Sequence, residues 1–204
     1  MSQPSPALLV AMLLGAAVVG CGNPVPDKRI ETLGPEIDGV EPGEFHRPGQ
    51  PCVLCHSTYE GASPELSVGG TVFATPRRMI PVEKAVVTLT DSLGESRSVP
   101  TNCIGNFFIT KEDWDPTYPL KAEIAYPVPG SDPPEVKGVT MESRINRDGS
   151  CAGCHVGTRN QGSPGWVFCV EEQPGPDGSL GTADDVFPPF PPPAASCAGK
   201  LPTP

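Results

Sequence analysis

Histidine is scarce: the 204-residue chain holds three, His46, His56 and His155. Aromatic residues make up only 6%, and a chain so poor in large apolar side chains builds a weak core of its own. Basic residues are also few, with 14 Lys and Arg against 24 Asp and Glu and a net charge of -10. That balance excludes nucleic acid as a partner and excludes unaided docking on anionic lipid. Residues Met1 to Pro6 carry no Lys or Arg, so the basic start of an ordinary export signal is missing apart from the α-amino group. The apolar run from Ala7 to Gly20 is too short for a comfortable membrane span and suits the core of a signal peptide.

Proline, glycine and cysteine are abundant instead. Gly 23 and Pro 28 together make about a quarter of the chain, a level associated with loop-rich structure. Four of the eight cysteines fall in two copies of one pattern, Cys52-Val53-Leu54-Cys55-His56 and Cys151-Ala152-Gly153-Cys154-His155. Two thiols separated by two residues lie about one turn apart and can form thioethers to both vinyl groups of a porphyrin, and the following imidazole then lies beneath the iron. Each copy therefore reads as a covalent haem attachment site, with Cys52, Cys55, Cys151 and Cys154 binding the cofactor and His56 and His155 ligating the metal. A zinc site built from the same thiols is one rival reading. A thioredoxin-like dithiol is another, but it needs a surrounding βαβ pattern that neither copy has.

On these two motifs the chain resembles small di-haem c-type cytochromes. The resemblance implies two covalently bound haem c groups, loading outside the cytoplasm and electron transfer between redox partner proteins. Val18-Val19-Gly20-Cys21 likewise resembles the lipobox of bacterial lipoproteins, which implies lipidation of Cys21. The localisation expected from it is the cell envelope, lipid-anchored, with Gly22 favouring the outer membrane facing the periplasm. An uncleaved membrane anchor ending in a buried cysteine is the alternative. Arg47 and Gly49 before the first motif match Arg147 and Gly149 before the second, and Gly61-Ala62-Ser63-Pro64 is echoed by Gly162-Ser163-Pro164. These echoes suggest a duplicated unit.

Between the copies the chain changes character, with short β-branched and aromatic runs separated by turn residues. Strands are expected near Ser67 to Ala74, Ala85 to Asp91, Ser96 to Thr101, Asn106 to Thr110 and Leu120 to Tyr126. Ala85, Val87 and Leu89 alternate with Val86, Thr88 and Thr90, which predicts one buried and one half-exposed face. Gly70-Thr71-Val72-Phe73, the Val82 to Thr90 run and Thr101 to Phe108 are similar to the transthyretin-like, carboxypeptidase regulatory-like β-sandwich. That similarity implies a scaffold without catalytic residues, or a module that adheres through its loop tips.

Two bis-imidazole haems would need four histidines, so at least one iron has a different sixth ligand or none, unless another chain donates one. His46 lies six residues before Cys52 and Met141 ten before Cys151. Both are candidate sixth ligands, to their own haem or to the other, and unlike ligands would give the two haems unequal potentials. Cys103, Cys169 and Cys197 remain; Cys169 with Cys197 is slightly favoured over Cys103 with Cys169 as a disulfide. Asp177, Asp184 and Asp185 lack the spacing of a helix-loop-helix calcium loop.

The expected fold is mainly β with short helices, an antiparallel β-sandwich inserted between two loop-rich c-type haem-binding segments. Expected boundaries are a signal peptide over 1–20, a lipid-anchored tether over 21–43 and the first haem segment over 44–66. The sandwich follows over 67–127, then the second haem segment over 128–165 and a Pro-rich tail over 166–204. The function expected is electron carriage rather than catalysis. A haem enzyme, such as a peroxidase or small-molecule dehydrogenase, and a haem-based sensor or binding module are the alternatives.

Overall fold

The computed structural model describes residues 24–36, 40, 42–59, 61–132, 135–157, 162–187 and 189. The signal peptide, Cys21, Cys197 and residues 190–204 of the Pro-rich tail lie outside them. The chain divides into two compact units, Met1–Leu33 and Gly34–Pro204.

In the first unit, helix α1 spans Pro24–Thr32 within what the sequence reads as an irregular tether. Pro24 and Pro26 occupy its first turn, where the missing amide hydrogens would have had no partner anyway. Asp27 lies in that same turn and complements the helix dipole. No described side chain from Val25 to Thr32 is buried, which explains why no apolar period marks the helix. Among the described residues no helix is long and apolar enough to cross a membrane.

The second unit is a mainly β domain with short helices. Its strands are β1 (Leu66–Thr71), β2 (Phe73–Thr75), β3 (Arg78–Pro81), β4 (Val86–Thr90), β5 (Ser96–Pro100), β6 (Asn106–Thr110), β7 (Lys121–Pro127) and β8 (Val136–Thr140). They form a four-stranded sheet in the order β5-β4-β7-β8 and two strand pairs, β1-β6 and β2-β3. All these pairings are antiparallel. In β4, Val87 and Leu89 are buried while Val86, Thr88 and Thr90 face outward, as the alternation predicts. Val87 and Leu89 join Val68, Val72, Phe107, Ile109, Leu120, Ile124 and Tyr126 in one apolar core to which the four-stranded sheet and the β1-β6 pair both contribute.

Turn chemistry fixes the connections. The Asp91 carboxylate accepts from the amides of Leu93 and Glu95 and closes the β4–β5 hairpin. The Asn102 side-chain oxygen does the same for Ile104 and Asn106. Gly105, at φ 80°, completes that second turn, where an added Cβ would stand 2.4 Å from the Val72 carbonyl oxygen. Only glycine meets both conditions there.

Where the sequence predicts one strand over Ser67 to Ala74 the chain forms two, β1 and β2, in different strand pairs, and the sequence marks neither β3 nor β8. The latter carries Gly138 and pairs only with β7, from Glu123 opposite Thr140 to Pro127 opposite Val136. It is an edge strand, mostly exposed, so burial imposes no alternation on it. The chain beyond Trp166 is also more than a tail. Phe73 donates to the Val167 carbonyl and Cys169 donates back to Phe73, which lays this segment alongside β2. Glu172 follows, its carboxylate only 1% exposed and bonded to Thr75 and Arg77. Cys169 is a buried thiol, so neither disulfide foreseen for it is formed. Cys103 is disulfide-bonded.

Candidate functional site

Each Cys-x-x-Cys-His copy folds as one tight turn. Cys52–Cys55 form helix α2, with the His56 amide donating to the Cys52 carbonyl at 3.0 Å. Cys151–Gly153 form a 3-10 turn, and the His155 amide donates to the Cys151 carbonyl at 2.9 Å. The backbone bond from the histidine to the first cysteine is thus the same in both.

The loops downstream return to the imidazoles. His56 Nδ1 donates to the Pro64 carbonyl at 2.8 Å and His155 Nδ1 to the Gly165 carbonyl at 2.9 Å. A carbonyl only accepts, so Nδ1 must carry the proton, and in a neutral ring Nε2 is then the acceptor. The Ser63-Pro64 and Ser163-Pro164 echoes therefore mark the loops that orient the two rings. His46 Nδ1 likewise donates to the Gly43 carbonyl. Its ring centre lies 5.7 Å from that of His56, tilted by 54°. Asn106 Nδ2 donates to the carbonyls of Glu44 and His46 and pins this approach to β6.

The two turns meet on β1. Cys52 packs against Gly69, where a Cβ would lie 3.0 Å from the cysteine Cβ and 3.3 Å from its sulfur. Cys151 packs against Gly70, where the corresponding distances are 2.8 and 2.9 Å. Consecutive residues of a strand point to opposite faces, so the leading thiols straddle β1. Ser150 forms a bridge with Gly69, and its hydroxyl accepts the Val53 amide at 2.8 Å. The glycine pair was read only as part of a strand; what gives it away is two adjacent glycines in a fully buried strand without a turn.

Burial pushes the Cys52 thiol up to about 11 and the Cys151 thiol up to about 12, the latter with help from the charges of Cys52 and Asp148. Both are protonated at neutral pH. A thioredoxin-like centre needs the opposite, a leading cysteine whose thiolate is favoured.

Among the described residues, no group of three or more His, Cys, Asp or Glu side chains is arranged to hold a metal ion. This finding corrects the cofactor expectation. His46 and His56 meet as a pair, His155 is held on the Gly165 loop, and Met141 sits at the end of β8 with its amide donating to Ala122. The two haem c groups, the iron ligation by His46, His56, His155 and Met141, and the resemblance to a di-haem cytochrome are not carried further. Electron transfer between redox partner proteins falls with them, as do the haem enzyme and haem sensor alternatives. The segments flanking the strands are loops that carry paired thiols, within a mostly β-sandwich domain with short helices. Comparison with protein-family models, with curated proteins and with solved structures finds no match to this chain.

Proposed function

We propose that this chain is a cell-envelope lipoprotein whose β-sandwich is a scaffold for one composite binding site. The site comprises Cys52, Cys55 and His56 with Cys151, Cys154 and His155, and His46 borders it. It takes a thiophilic ligand that binds reversibly through the paired sulfurs. The observation that carries this reading is the seating of both leading thiols on Gly69 and Gly70. Strand glycines cost stability through lost packing and chain entropy, and here the space they leave is filled by the two cysteines of a repeated motif. The lipobox-like Val18 to Cys21 segment and the disulfide-bonded Cys103 both suit an oxidising compartment outside the cytoplasm.

The test is the intact mass of the reduced protein after exposure to a monofunctional trivalent arsenical, together with alkylation of the denatured chain. The expected result is one arsenical for each Cys-x-x-Cys pair, two per chain, with all four thiols closed to alkylation until a competing dithiol displaces it. A chain that stays unmodified, with Cys52, Cys55, Cys151 and Cys154 all alkylated, would overturn the reading.

A further inference from the structure

Resting on that reading, the geometry points to coupling between the two Cys-x-x-Cys-His turns, a first thiol unit (Cys52 to His56) and a second (Cys151 to His155): occupancy of one raises the affinity of the other through Ser150 and the Gly69-Gly70 dipeptide. The argument starts from distance. Adjacent Cα atoms in a strand are about 3.8 Å apart, and the leading thiol of each unit is packed against one member of this pair. Cys52 and Cys151 are thus seated on adjacent residues of one strand. The Val53 amide, inside the first turn, donates to the hydroxyl of Ser150, the residue immediately before the second turn. Ser150 is itself placed by its backbone amide, which donates to Asp148 Oδ1 at 2.8 Å, and by its bridge to Gly69.

A ligand that closes on Cys52 and Cys55 fixes the turn containing Val53. Fixing Val53 holds Ser150, and holding Ser150 sets the first residue of the 3-10 turn that presents Cys151 and Cys154. The second ligand then meets a unit that is already ordered, which is positive coupling. Linkage requires the effect to be equal in both directions.

Phenylarsine oxide is a suitable probe, since each molecule exchanges its oxide oxygen for two thiol sulfurs and the two thiol protons leave in water. No electrons are transferred. The experiment titrates the full-length chain, reduced at these four thiols, with the arsenical. Cys151→Ser with Cys154→Ser should weaken binding at the first unit about fivefold or more. Ser150→Ala, which keeps every thiol, should weaken both units similarly, and Ser150→Thr, which keeps the hydroxyl, should restore them. A merely structural role for Ser150 would lower stability while leaving the arsenical affinity of each unit unchanged, and that result would overturn the coupling through Ser150. Unchanged first-unit affinity in the double cysteine variant would overturn the coupling and leave the site itself intact. Absence of arsenical binding at either unit would overturn both.

Discussion

The Val53 amide donates to the Ser150 hydroxyl over 2.8 Å, joining segments 97 residues apart in the chain. Ser150 is 4% exposed, so water cannot readily take its place. Ser150→Ala leaves the amide without its acceptor and should cost about 1 to 2 kcal/mol, read as a lowered urea midpoint at unchanged slope.

Gly70→Ala should be the more damaging of the two glycine substitutions. Its Cβ would come within 2.8 Å of Cys151 Cβ and 3.1 Å of Phe107, whereas at Gly69 the nearest atom is 3.0 Å away. The obstacle at Gly70 is a Cβ fixed by its own backbone, so strain is relieved only by moving the second turn. We expect roughly 2 to 3 kcal/mol for Gly70→Ala and about 1 for Gly69→Ala. Calorimetric melting of the two variants checks the order.

Glu172 is a buried carboxylate held by Thr75 and Arg77, with Arg78 at 3.6 Å. Glu172→Leu would leave Arg77 without its partner and the Thr75 hydroxyl without its acceptor. The loss should be roughly 2 to 4 kcal/mol. It should also release the segment after Trp166 from β2, seen as faster amide exchange at Cys169 and Val170.

Stability should fall on both sides of neutrality. Asp91 is opposed most by desolvation, but the amides of Thr117, Glu95 and Leu93 outweigh that and hold its pKa below the usual aspartate value. A depressed carboxylate stabilises the fold above its unfolded pKa, and that contribution disappears as pH falls through the still lower folded value. Asp91→Asn should therefore flatten the loss of stability below about pH 4. The thiols act in the opposite sense. With Cys52 raised to about 11 and Cys151 to about 12 from 9.0, the fold holds protons that the unfolded chain releases. Their contribution is complete below pH 9 and is lost as pH rises through the folded values. Urea midpoints from pH 7 to 10.5 should decline beyond about pH 9, less steeply in Cys151→Ser.

Much of the sandwich was legible because strand alternation is local. Val87 and Leu89 declare the core side of β4 by their alternation with Val86, Thr88 and Thr90. Edge strand β8 and the polar helix α1 were not legible, since neither buries a face that would leave a period in the sequence. The repeated Cys-x-x-Cys-His spacing located the candidate site, whereas the Ser63-Pro64 and Ser163-Pro164 echoes spoke only for a duplicated unit, and the contacts of those loops with the rings came from the tertiary structure.

By itself the sequence determined the mainly β class, the positions of the paired thiols and the acidic balance of the chain, because each is written in spacing or composition. Only the tertiary structure decided that the two Cys-x-x-Cys-His turns share β1, that Cys169 stays a thiol, and that no three ligand-bearing side chains are arranged to hold a metal ion among the described residues. Those outcomes depend on contacts between residues far apart in the chain. Gly69 and Gly70 disclose their purpose only when Cys52 and Cys151 arrive from opposite ends to occupy the space they leave.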